Sequence, residues 1–285
     1  MKILITGASG MLGVDLQKSL APGHTLVPTD ISGNIELLDI TDQNQVTNKI
    51  NKCRPDLVIH AAAYTDVDGC ERNPDKAFLV NAEGTRNVAL ACELSDAVLV
   101  YISTDFVFDG EKGEPYTEQD VPNPINHYGA SKLAGEKHIC KICPRHFIIR
   151  TAWLYGEHGK SFPRTIINAA KAGNSLSVIA DQVGSPTFTV DLSSAIADLI
   201  SSPHYGIYHI TNKGSCSWFE FAKKTLSFAG MNDVEIKPIK SDEWPSPTKR
   251  PKYSVLRHLA LERLGKDNLR TWEEALADFV SRLDL

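Results

Sequence analysis

The N-terminal run Lys2-Ile-Leu-Ile-Thr-Gly7-Ala-Ser-Gly10-Met-Leu-Gly13 constrains this chain more than any other segment. A short β-type stretch leads straight into glycines spaced G-x-x-G-x-x-G, and a helix-period segment follows. Strand, glycine turn and helix in immediate succession form the opening unit of a dinucleotide-binding sheet. In that unit Gly7 permits the tight turn, Gly10 lets the backbone approach a pyrophosphate, and Gly13 lets the helix pack closely on the strand. The free N–H groups at the helix start add partial positive charge, so Met11 and Leu12 join the glycines as candidate cofactor contacts.

The first half repeats this alternation. β-type runs at 2–6, 25–29, 57–60, 98–103 and 146–150 alternate with helix-period segments at 11–20, 43–52, 75–94 and 128–142. The runs are nearly continuous in aliphatic and β-branched residues, as parallel strands buried on both faces are. The expected fold is α/β, with a doubly wound parallel Rossmann-type sheet over residues 1–151. Residues 152–285 have a different character, with helical stretches at 162–172, 190–200 and 218–228 among short strands at 176–179, 207–211 and 234–238. A Pro-rich basic segment at 244–252 reads as loop, and a last helix is expected from 271 to 283. This half is expected to be mainly a smaller C-terminal α/β substrate lobe, some of its elements returning to the first domain.

Charge and composition narrow the partners. A net charge of −5 argues against nucleic acid, whose binders carry a basic stripe. No apolar run approaches the roughly 18 residues that cross a bilayer, and no signal peptide is visible, so no membrane partner is expected. Six cysteines at 53, 70, 92, 140, 143 and 216 lack the density of a disulfide scaffold, which fits a cytoplasmic protein. His138, Cys140, Cys143 and His146 crowd one helix end without a second distant ligand pair, so no metal is expected there.

Further residues extend the cofactor reading. Asp30 follows the second β-run at the place where a carboxylate binds ribose hydroxyls, which favours NADH over NADPH because a carboxylate repels a 2′-phosphate. Asp39 and Ile40 could reach the adenine edge. The small residues Ala61, Ala62 and Ala63 leave room for a ligand on the backbone, and Asn81 would face the sheet from the helix read at 75–94.

The reacting groups come next in the chain. Ser103-Thr104-Asp105 closes the run at 98–103, at the sheet edge where doubly wound folds bind ligands. Tyr128-Gly-Ala-Ser-Lys132 then places a phenol and an ammonium one helical turn apart on a shared face. A tyrosine has a pKa of about 10, and a nearby lysine charge is expected to lower it. Such a tyrosine can act as general acid toward a developing alkoxide.

These blocks, in this order, resemble the extended short-chain dehydrogenase/reductase family. The likeness spans nearly the whole chain: Thr-Gly-Ala-Ser-Gly-Met-Leu-Gly, Ala-Ala-Ala-Tyr-Thr-Asp-Val-Asp, Ser-Thr-Asp-Phe-Val-Phe-Asp-Gly and Tyr-Gly-Ala-Ser-Lys-Leu-Ala-Gly-Glu. Arg150-Thr-Ala-Trp-Leu-Tyr-Gly156, Asp181-Gln-Val-Gly-Ser-Pro-Thr187 and Arg250-Pro point to the branch that reduces dTDP-4-dehydrorhamnose.

The resemblance implies a nucleotide-sugar substrate, reduced at its 4-keto group with NADH or NADPH. It casts Tyr128 as proton donor, Lys132 as tuner of Tyr128 and ligand of the nicotinamide ribose, and Thr104 as hydrogen-bond donor to the carbonyl. Asp105, Phe106, Trp153, Gln182 and Arg250 would meet the substrate. Phe106 stands where the family pattern has tyrosine, which removes a hydroxyl from the site. Asp15 and Asp191 stand where some relatives hold magnesium between subunits, so the resemblance admits Mg2+ and a homodimer. Another nucleotide-4-keto-sugar, or a non-catalytic regulatory subunit that binds a dinucleotide, remain as alternatives.

Overall fold

The computed structural model describes residues 1–284. Its main sheet contains β1 (Lys2–Thr6), β2 (Thr25–Asp30), β3 (Glu36–Leu37), β4 (Leu57–His60), β5 (Val98–Thr104), β6 (His146–Thr151) and the strand Gly206–His209. The spatial order is Gly206–His209, β6, β5, β4, β1, β2, β3, and every neighbouring pair is parallel. The order reverses between β1 and β4, which opens a crevice beyond the carboxyl ends of those strands.

Alternation along the strands sends residues to opposite faces. Ile3, Ile5, Ile59, Val100 and Ile149 point to one face, where they meet Leu12 and Leu16 of α1 (Met11–Leu20) together with Leu192 and Ile196 of the helix Thr189–Leu199. Leu4, Val58, Leu99 and Ile148 point to the other, against Val46 and Ile50 of α2 (Gln43–Cys53). Each such side chain, fully buried, is worth about 1.5–3 kcal/mol.

The helix read at 75–94 is not continuous. A short α3 (Val67–Arg72), which the sequence reading lacks, comes first. Then follow α4 (Pro74–Phe78), a π-helical turn at Leu79–Gly84 and α5 (Thr85–Leu94). The π turn slips the register by a residue, and within it Asn81 binds the backbone of Tyr64 on both sides, accepting from its N–H at 2.8 Å and donating to its carbonyl at 3.1 Å. Apolar periodicity does not register such a slip. The helix carrying Tyr128 and Lys132 is α6 (His127–Ile142), capped by Asn126, whose side chain accepts from Gly129 N–H at 2.8 Å.

Residues beyond 151 divide between two environments. The strand Gly206–His209 extends the main sheet beside β6, and the helix Thr189–Leu199 lies on α1. The helix Leu259–Leu264, which has no counterpart in the sequence reading, adds Leu261 to the same core. The helices Phe162–Lys171, Trp218–Phe228 and Trp272–Ser281 make a second layer around Tyr155, Phe188, Phe221 and Phe279. Its small sheet pairs Leu176–Ile179 with Ile236–Ile239 in parallel, the second strand starting two residues later than read. Among the described residues no helix is long and apolar enough to cross a membrane.

Candidate active site

A cleft of about 670 Å³ runs across the carboxyl ends of the strands between the two layers. Its first end is the glycine turn. Gly7 has φ +71°, and a Cβ there would lie 2.6 Å from Ala62 N, so this position requires glycine. A Cβ on Gly13 would lie 2.2 Å from the Gly7 carbonyl, which brings the start of α1 hard against the turn. Gly10 caps α1 without a side-chain bond, and no acidic residue stands in the first turn, so its N–H groups face the cleft beside Met11 and Leu12. A dinucleotide fits this cradle: bare backbone, helix N-terminus and the small walls of Ala61, Ala62 and Ala63.

Asp30 ends β2 at the cleft edge, where its carboxylate accepts from Ser9 N–H at 2.9 Å and Ile31 N–H at 2.7 Å. Two expected cofactor contacts are absent from the wall. Asp39 turns away to accept from the N–H and hydroxyl of Thr41 at 2.9 and 2.7 Å, while its neighbours Leu38 and Ile40 line the cleft. Asn81 is buried behind the wall, where it also donates to Ser131 Oγ at 3.0 Å and so ties the π turn to α6.

Thr104, Asp105, Phe106, Tyr128 and Lys132 line the opposite end together. Thr104 Oγ1 donates to Asp105 Oδ1 at 3.0 Å and accepts from Phe106 N–H at 3.2 Å. The ring of Phe106 meets Tyr128 edge-on, with centroids 5.6 Å apart. Asp105 is buried, which holds its carboxyl up at about 6 despite hydrogen bonds from Ser254 and Thr104.

The expected lowering of the Tyr128 pKa is not met. Burial, reinforced by the Asp105 charge, pushes the phenol above its ordinary value, against a smaller opposing effect of the Thr104 hydroxyl. The Lys132 ammonium is engaged elsewhere: it donates to the Ile102 carbonyl at 2.7 Å and lies 4.1 Å from the centre of the Tyr101 ring. Burial draws Lys132 down to about 7, while the Glu136 charge pulls the other way. Glu136 in turn accepts from Ser103 Oγ at 2.5 Å and from Arg150 Nε and Nη2 at 3.0 and 2.7 Å, fixing α6 to β5 and β6 beneath the site.

The second layer supplies the far wall. Trp153 has φ +48° and stacks on Trp218 with centroids 3.5 Å apart and planes 9° from parallel. Both indoles, with Gln182 and Arg250, border the cleft. Arg250 is not free in solvent; Nη2 donates to Asp68 on α3 at 2.7 Å. Trp218 and Ser254 are wall residues that the sequence reading missed. A Ser-x-x-Glu capping box at Ser217 and Glu220 marked the start of the Trp218 helix, but nothing in the sequence said which way the indole pointed.

The residues suggested for magnesium do not fit it. Asp15 is buried and accepts from Thr189 Oγ1 at 2.6 Å, while Asp191 is paired with Arg270 at 2.9 Å and Asn212 at 2.7 Å. Among the described residues no group of three or more His, Cys, Asp or Glu side chains is arranged to hold a metal.

Comparison with known proteins gives consistent likenesses. The family described as RmlD substrate binding domain matches residues 1–285. A spore coat polysaccharide biosynthesis protein of Bacillus subtilis, SpsK, is 40% identical over 279 residues, covering 98% of this chain and 96% of that protein. The dTDP-4-dehydrorhamnose reductase of Mycolicibacterium smegmatis is 40% identical over 284 residues, covering 98% of this chain and 85% of that one. A dTDP-4-dehydrorhamnose reductase of Bacillus anthracis, solved in complex with NADP, is 46% identical with a TM-score of 0.95, each chain covered to 99%.

Proposed function

The chain belongs to the RmlD substrate binding domain family, and on that premise we propose that it reduces the 4-keto group of dTDP-4-dehydro-L-rhamnose to give dTDP-L-rhamnose, a sugar nucleotide for polysaccharide biosynthesis. One observation carries this reading. Thr104, Tyr128 and Lys132 stand at one end of a cleft whose other end is a glycine turn beside the Asp30 carboxylate. The reductases among the relatives support the same substrate class.

Gly7, Gly10–Gly13, Asp30 and Ala61–Ala63 would hold the nicotinamide dinucleotide, which when bound supplies the hydride for C4. Tyr128 delivers a proton to the keto oxygen as its charge develops, and the raised pKa suits that task because the phenol stays protonated at neutral pH. Thr104 stabilises the same oxygen by hydrogen bonding. Lys132, which lines the same end of the cleft, would turn from the Ile102 carbonyl to bind a ribose hydroxyl and return a proton to Tyr128 between turnovers. Trp153, Gln182 and Arg250 orient the nucleotide-sugar, Arg250 as a guanidinium suited to a pyrophosphate.

Asp30 supports a preference for NADH, although the Bacillus anthracis protein was solved with NADP. A second substrate, another dTDP-4-keto-6-deoxysugar, is favoured by Phe106, which offers the sugar no hydroxyl. The test is loss of reduced-nicotinamide absorbance when purified protein meets enzymatically generated dTDP-4-dehydro-L-rhamnose, with NADH and NADPH in turn. Turnover supports the reading; dinucleotide binding without turnover transfers it to another keto-sugar.

A further inference from the structure

The carboxylate of Asp105 is held from two sides. Oδ1 accepts from Thr104 Oγ1 at 3.0 Å, and Oδ2 accepts from Ser254 Oγ at 2.6 Å, across 149 residues of sequence. All three residues are buried, and all three border the cleft.

A threonine hydroxyl has a single hydrogen to donate. While Asp105 is ionised, that hydrogen is committed to Oδ1, and the Phe106 N–H already occupies one lone pair. A keto oxygen set between Thr104 and Tyr128 then receives nothing from Thr104. A proton on Oδ1 reverses the direction: the acid donates to Thr104 Oγ1, and the threonine hydrogen turns into the cleft. A proton on Oδ2 would point at Ser254 and leave Thr104 as it was.

We propose that Ser254 is a positioning residue for the reduction: by donating to Oδ2 it keeps the acid proton of Asp105 on Oδ1, so that Thr104 presents its one hydrogen to the keto oxygen. This rests on the reductase reading above. The acid form is reachable, because burial holds Asp105 at about 6. Other ionisable groups around the site are Tyr128 and Lys132 on α6, Cys70 on α3 and Arg250. Burial raises Tyr128 and Cys70, the latter to about 11, and draws Lys132 down to about 7, while Arg250 is paired with Asp68. Since the protonated acid is the competent form, turnover falls as pH rises through the Asp105 midpoint.

Two measurements on the full chain test this. Infrared spectroscopy follows the carboxyl band of Asp105, identified by its loss in Asp105→Asn. Removing a hydrogen bond that favours the carboxylate should move the midpoint up by about one pH unit in Ser254→Ala, and Ser254→Thr, which keeps the hydroxyl, should restore it. In keto-sugar reduction on the acid plateau, below both midpoints, Ser254→Ala should lower kcat about tenfold with KM within about twofold, and its descending pH limb should move with the infrared midpoint. Thermal melting confirms that each variant is folded. Equal infrared midpoints in parent and Ser254→Ala, or a kcat limb that ignores the midpoint, overturn the proposal. A shifted midpoint in a protein that binds dinucleotide but reduces no keto-sugar upholds the hydrogen bond and overturns both the reductase reading and the catalytic role built on it.

Discussion

Tyr128 enters the cleft as a neutral phenol, because burial and the Asp105 charge both disfavour the phenolate. Tyr128→Phe therefore removes a proton donor and little else; kcat should fall about 10²–10⁴-fold while dinucleotide affinity, read by fluorescence titration, stays within about threefold. Unchanged turnover would remove Tyr128 from the chemistry. Asp30 belongs to the same scale. Two backbone N–H groups fix its carboxylate at the cleft edge, where on the proposed reading it would repel a 2′-phosphate. Asp30→Ala should raise the NADPH-to-NADH ratio of kcat/KM about tenfold, and an unaltered ratio would show that the carboxylate does not read the ribose. Single residues were legible in the sequence where local geometry dictated them: the glycines by their turn, Tyr128 and Lys132 by helical spacing. Asp39 is less legible: Thr41, two positions on, bonds it locally, and a carboxylate that caps its own turn looks no different in sequence from one that faces a ligand.

Among the elements, α6 does most to assemble the reacting end. Its first turn carries Tyr128, its second Lys132 and its third Glu136, which grips Arg150 and Ser103 in the sheet below. Both partners of this ion pair are almost fully buried, so removing one leaves an uncompensated charge. Glu136→Ala should cost about 3–5 kcal/mol in urea unfolding, and a loss below about 1 kcal/mol would mean that water or another group already serves Arg150. The parallel strands were readable because burial on both faces leaves an unbroken apolar run. The π turn at Leu79–Gly84 and the short helices Val67–Arg72 and Leu259–Leu264 were not. They span too few residues to establish a period, and side-chain bonds such as Asn81 to Tyr64 hold the first of them in shape.

Across the whole molecule the two halves of the chain share one core. Leu12 and Leu16 pack with Leu192, Ile196, Tyr208 and Leu261 on the same face of the sheet. Urea unfolding should accordingly be a single transition, with near- and far-ultraviolet circular dichroism coinciding, and two resolved transitions would show that the layers unfold independently. This return of the chain is also why only part of the far wall was legible: Trp218 and Ser254 reach the cleft through tertiary packing, which no local pattern encodes.

The link between Asp105 and Ser254 has a consequence in time. A ribosome delivers the chain N-terminus first, at about 5–20 residues per second. The 149 residues between the two side chains then separate their emergence by roughly 7–30 s. Tyr128 and Lys132 emerge early in that interval, whereas the wall formed by Gln182, Trp218 and Arg250 is complete only at its end. A nascent chain therefore exposes its glycine turn and α6 before the far wall of the cleft is complete, and the core those elements share with Leu261 closes later still.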